Sequence, residues 1–210
     1  MRHPSQQDPA MDSASPAELA KAILAMSQAG VSSKDALEAL IRPKPLLPIE
    51  KFLMDPAWCG MDRLWPRVLQ LIQLVVEPER HEIHIEIGKG GGKSTLAAAM
   101  VIYGAYKVAS LPDPHAYYGL DVGKPIVFMV VSTGETQARL TVFSKIQHMV
   151  ARCPFFEGRF VPQATQIDID RGKILILCGH SRSEGLDGHD VFWGILDEAN
   201  KHRDAGGKSN

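Results

Sequence analysis

The segment from Glu82 to Tyr106 constrains the fold more than any other. Glu82-Ile83-His84-Ile85-Glu86-Ile87 alternates polar and apolar side chains, Gly88-Lys89-Gly90-Gly91-Gly92-Lys93-Ser94 follows at once, and Leu96 to Tyr106 is apolar or small throughout. Alternation with period two predicts a strand over 81–87. An apolar run on all sides predicts a buried helix over 96–108. Between them, glycines tolerate positive φ and let the backbone turn tightly. Strand, glycine loop and buried helix in immediate succession aim backbone N–H groups and a helix N-terminus at one point, which is a cradle for phosphate. Gly92-Lys93-Ser94 is the tail of the pattern G-x-x-x-x-G-K-[ST], in which the lysine reaches the β- and γ-phosphates and the hydroxyl ligates Mg²⁺. The glycine that the pattern places five positions before Gly92 is replaced by Ile87, with Gly88 beside it. The expected nucleotide-binding residues are therefore Gly88, Gly90, Gly91, Gly92, Lys93, Ser94 and Thr95, with ATP and Mg²⁺ as the ligands.

A second motif supports this reading. The apolar run Val191-Phe192-Trp193-Gly194-Ile195-Leu196 ends in Asp197-Glu198. A carboxylate at the end of such a strand is a Mg²⁺ ligand in nucleoside triphosphatases, here Asp197 beside Ser94. A carboxylate directly after it, Glu198, is placed to orient and deprotonate the attacking water. Further strands are expected at 125–131, 167–170 and 173–178, and helices at 66–77 and 135–151. Strands alternating with helices, some apolar on both faces, predict an α/β domain with a largely parallel central sheet flanked by helices.

Upstream, Ser15-Pro16-Ala17-Glu18 has the residues of a capping box with proline at the first helical position. It predicts a helix to about Gln28, stopped at Gly30, and a second from about Ser33 to Ile41, stopped by Pro43. A DNA-reading helix-turn-helix and a plain helical appendage both fit this pair, and the appendage is the commoner object. Residues 1–14 read as a disordered tail, 15–44 as the small N-terminal helical appendage, and 45–210 as the main domain after the stiff connector 42–48.

The formal net charge is −1, which excludes a strongly basic, histone-like chain. Cys59, Cys153 and Cys178 have no metal-ligand spacing and are odd in number, which fits a reducing cytoplasm. The polar N-terminus is not a signal peptide, and the longest apolar run is shorter than the roughly 20 residues of a membrane span. Glu82, His84 and Glu86 share a strand face, but hydrogen-bonded polar side chains explain them better than a metal site. His180 and His189 read as surface histidines.

The series Gly88–Thr95, then VVSTGETQA (130–138), then GHSRSEGLDGHDVFWGILDEAN (179–200) resembles the ATPase domain of the large terminase subunits of tailed bacteriophages. These are P-loop motors that drive double-stranded DNA into a procapsid. The resemblance covers about 45–200 and is most specific at the loop and the acidic strand. It implies a basic residue four positions before the loop lysine that stabilises the γ-phosphate, here Lys89. It also implies that the lead-in 48–70 seats the adenine, with Arg67 and Gln70 as weak candidates, and that Arg182 is a candidate arginine finger. The implied partners are double-stranded DNA, the portal protein and the small terminase subunit, in a ring-like homo-oligomer in the host cytoplasm, without a membrane. By the same resemblance, the sensor strand and nuclease domain are expected beyond Asn210, so that the domain is truncated at its C-terminal end. Asp197-Glu198-Ala199-Asn200 also resembles the acidic boxes of helicases. A helicase-like DNA-dependent ATPase and a non-catalytic nucleotide-binding module are the alternatives.

Overall fold

The computed structural model describes residues 15–42, 44–61, 64–75, 82–88, 90–132, 142–180, 189 and 191–197. The tail 1–14, Lys89, Arg182 and Glu198 lie outside them. The chain divides into two units, Met1–Pro45 and Leu46–Asn210.

The first unit holds α1 (Pro16–Gln28) and α2 (Ser33–Ile41). The expected capping box starts α1: Glu18 N donates to Ser15 Oγ at 3.3 Å, and Ser15 N donates to Glu18 Oε2 at 2.8 Å. These bonds, the backbone N–H of Ser15 first, hold the Glu18 carboxyl below the usual carboxylate range.

The second unit contains α3 (Ile49–Met54), α4 (Pro66–Val75), α5 (Lys93–Ala109), α6 (Pro114–Tyr118) and α7 (Ser144–Arg152). Among the described residues its strands are β1 (Ile126–Ser132), β2 (Phe160–Pro162), β3 (Gln166–Ile169), β4 (Ile174–His180) and β5 (Val191–Leu196), in the spatial order β2-β3-β4-β1-β5. The expectation of a largely parallel sheet is corrected. β1 lies parallel to both β4 and β5, but β2–β3 and β3–β4 are antiparallel. The reason is connection length. Residues 163–165 and 170–173 are too few for a crossover, which takes a dozen or more residues, so these strands can only fold back on one another. The 170–173 turn uses positive φ at Asp170, Arg171 and Gly172. Asp170 is pinned there by Arg159, whose Nε donates to Asp170 Oδ1 at 2.7 Å while Nη2 reaches Ala109 O at 2.9 Å.

α5 is the buried helix that its composition predicts, with Val101, Ile102 and Ala105 fully enclosed. It packs on β1, and the two approach closely at Gly104, where an added Cβ would lie 2.8 Å from Phe128 Cε1. β1 is apolar and buried on both faces, as a central parallel strand must be. β5 is the outer strand, and Val191 and Leu196 are exposed there.

Residues 82–88 differ from the expected strand. Ile83, Ile85 and Ile87 are half-buried against the core and Glu82, His84 and Glu86 are exposed, so the alternation is real. Yet 82–88 forms no ladder with any strand of the described residues. Alternation dictates which side chains face inward; a strand also needs a neighbour for its N–H and C=O groups.

The lead-in to α4 is fastened to α5. Tyr103 Oη donates to Leu47 O at 2.8 Å, Leu47 N donates to Tyr106 Oη at 3.2 Å, and Phe52 stacks on Tyr106 with centroids 4.4 Å apart. Among the described residues, no helix is long and apolar enough to cross a membrane.

Candidate nucleotide site

The turn into α5 is built by glycines that no other residue replaces easily. Gly90 has φ +80° and Gly92 has φ +88°, both left-handed. Gly92 is the N-cap of α5 and has no side chain with which to satisfy the first amides of the helix. An added Cβ on Gly91 would lie 2.2 Å from Ile87 Cγ2, and one on Gly92 would lie 3.0 Å from Val68 Cγ2. The loop is closed on itself by Gly91 N donating to Gly88 O at 3.1 Å, and the helix begins with Leu96 N donating to Gly92 O at 2.9 Å.

A cavity of about 340 Å³ opens in front of this turn, lined by Gly90 to Thr95, by Leu64, Trp65 and Val68 at the start of α4, and by Lys145 of α7. Of the residues expected from sequence, it gathers Gly90, Gly91, Gly92, Lys93, Ser94 and Thr95. Gly88 supports the loop from behind and is not part of the lining. Asp197 follows β5, its N–H donating to Val131 O at 2.8 Å, and is not among the lining residues. Arg67 and Gln70 lie on α4 and do not line the cavity either. Trp65, 73% exposed, stands at its edge instead.

Lys145 was not legible as a site residue. Its Nζ donates to Thr95 Oγ1 at 2.8 Å, which brings a second cation to the loop across 50 positions of sequence. The only local hint is the amphipathic pattern of the helix, which says that Lys145 is on an outer face and not what that face meets. No carboxylate is among the described residues lining the cavity. Two lysines, uncapped helical amides and a left-handed glycine turn together suit an anion of several charges.

Residues 72–205 match the family model described as the N-terminal P-loop domain of the uncharacterized protein MJ0330. The chain belongs to that family. No curated protein and no solved structure matches it. Membership makes this a P-loop domain, with nucleotide binding as its general property, and it leaves open which reaction the nucleotide serves.

Other expected candidates fall away from the P-loop. His84 Nε2 and Glu82 Oε1 are 3.0 Å apart and both highly exposed, a solvated pair. Among the described residues, no three His, Cys, Asp or Glu side chains gather as a metal site would require. His189 is exposed. Cys59 and Cys153 form a buried pair: their mutual hydrogen bond, with burial, pushes the Cys59 thiol up, and the same bond lowers that of Cys153 against the opposing pull of burial.

Proposed function

We propose that the chain binds Mg-ATP and hydrolyses it, as the motor domain of a DNA translocase of the terminase type. The observation that carries the nucleotide part is the Gly90–Thr95 turn, with its left-handed glycines, open amides and facing lysines. The tight turn that shapes this cradle is open only to glycine at 91 and 92, where an added Cβ would press on Ile87 or Val68. In this reading the amides of the glycine loop and Thr95 surround the phosphates, and Lys93 sits against the β- and γ-phosphates. Ser94 and Asp197 hold Mg²⁺, Glu198 orients and deprotonates the attacking water, and Lys89 stabilises charge on the γ-phosphate. The packaging role, with double-stranded DNA, portal protein, small subunit and a ring of copies as partners, rests on the sequence resemblance alone.

Calorimetric titration of Mg-ATP and a phosphate-release assay with and without double-stranded DNA test this. Lys93→Ala is expected to weaken binding by about 10–100-fold, since a hydrogen bond to a charged group contributes roughly 1.5–3 kcal/mol. Glu198→Gln is expected to keep the affinity and lose turnover. Unchanged affinity in Lys93→Ala removes the phosphate-loop assignment. Turnover that Glu198→Gln leaves intact, or that DNA does not stimulate, removes the motor reading and leaves a nucleotide-binding module.

A further inference from the structure

A second cavity, of about 530 Å³, adjoins the first. The two share Thr95 and Lys145, so the Lys145–Thr95 hydrogen bond stands on their common border. One wall is the turn carrying Cys59, Gly60 and Met61; the other is α7, which presents Lys145, His148, Met149 and Arg152. The spacing i, i+3, i+4 and i+7 puts those four side chains on one helix face.

Both walls are held firmly. Cys59 N donates to Phe52 O at 3.1 Å and Met61 N to Leu53 O at 2.9 Å, which ties the turn to α3. On the opposite wall Ile146 and Val150 are fully buried, so α7 cannot roll. The Arg152 guanidinium reaches across, with Nη2 3.8 Å from where a Cβ on Gly60 would stand.

The chemistry of the two cavities differs in a way that matches the two halves of one ligand. The first is lined by amides, lysines and hydroxyls and suits phosphate. Its volume is at the low end of the roughly 300–1,000 Å³ typical of small-molecule sites. The second has thioether walls in Met61 and Met149 and two flat groups, His148 and Arg152. Imidazole and guanidinium planes are surfaces on which nucleobases stack, and thioethers are soft partners for aromatic faces. No carboxylate lies among its described lining residues to repel an anion at the border.

We propose that this second cavity receives the nucleoside half of the triphosphate whose phosphates the loop takes, with Arg152, His148 and Met149 against the base and Lys145 at the phosphate junction. The inference rests on the nucleotide reading above and adds where the base goes: between α7 and the 59–61 turn, not on Trp65 across the first cavity.

Calorimetric titrations of Mg-ATP and of magnesium tripolyphosphate, which has the phosphates and no nucleoside, separate the two ideas. The wild-type chain is expected to bind ATP more tightly than tripolyphosphate. Arg152→Ala and His148→Ala, both on exposed side chains, are each expected to lower ATP affinity about tenfold, the scale of losing one stacking partner, and to leave tripolyphosphate unchanged. His148→Phe, which keeps a flat face, is expected to retain ATP affinity. Lys93→Ala is expected to lose both ligands; if it loses neither, the phosphate-loop reading itself fails. If Lys93→Ala loses both while Arg152→Ala and His148→Ala bind ATP normally, or lose both ligands equally, the loop stands and the nucleoside pocket is overturned. A selective loss of ATP in Trp65→Ala in place of these variants overturns it too.

Discussion

Gly92 shows how a single residue commits a chain to a site. Its φ of +88° is left-handed, and a Cβ there would approach Val68 Cγ2 to 3.0 Å. A non-glycine residue in that conformation costs roughly 1–2 kcal/mol before any contact is counted. Gly92→Ala is therefore expected to destabilise the domain by about 1–3 kcal/mol, the close contact adding to the backbone strain. Urea unfolding measures that loss. Titration with Mg-ATP should show a larger fractional loss, because relaxing the strain rotates the amides out of the cradle. A substitution that unfolds at the wild-type urea concentration and binds ATP normally would show that the loop tolerates a right-handed Gly92. Lys145 teaches the opposite lesson at the same scale. Nothing in its neighbours announces a role, because its contact with Thr95 is made by packing α7 beside α5.

At the scale of elements, α5 is the axis of the second unit, and its seat on β1 depends on Gly104. A glycine within a helix is usually replaced by alanine with a gain of about 1 kcal/mol. Here the added methyl would lie 2.8 Å from Phe128 Cε1, on a ring with no exposed surface and no room to withdraw. Overpacking of a filled core costs about 1–3 kcal/mol, which outweighs the helical gain. Gly104→Ala is expected to be destabilising by about 1 kcal/mol, read as a lower urea midpoint at unchanged slope. A raised midpoint would mean that α5 rides more loosely on β1 than the distance states. Elements were legible where pattern and local chemistry agree: α1 with its capping box, α5 from its apolar run, β1 from its continuous Ile126–Val131. Residues 82–88 were legible in facing but not in pairing. The short β2 was missed, since Phe160-Val161-Pro162 has no period to read, and its place is set by pairing with β3.

For the whole molecule, P-loop membership turns ligand binding into a stability measurement. A ligand that binds only the folded state adds about 2.7 kcal/mol at one hundred times its Kd. For a chain of this size each kcal/mol moves Tm by about 2–4 °C, so saturating Mg-ATP is expected to raise Tm by about 5–10 °C. Scanning calorimetry with and without Mg-ATP reads this directly. For Lys93→Ala, with its roughly 10–100-fold weaker binding, the same ligand concentration should add only about 0.4–1.4 kcal/mol and raise Tm by about 1–5 °C. A wild-type chain whose Tm ignores Mg-ATP at millimolar concentration would argue against a nucleotide site of useful affinity.

The sequence by itself determined the glycine turn, the helix behind it and the α/β class. Each of these is a local demand: a tight left-handed turn favours glycine, an all-round apolar run needs burial, and alternation needs one covered face. Tertiary structure alone decided the rest. It turned β2 and β3 antiparallel, because connections over 163–165 and 170–173 are too short to cross over. It left 82–88 without a ladder among the described residues. It also carried Lys145, His148 and Arg152 from a distant helix to the side of Thr95 and opposite Gly60, where chain-distant groups share one border. Such contacts arise from how helices pack, and packing is a property of surfaces meeting, which no stretch of sequence states alone.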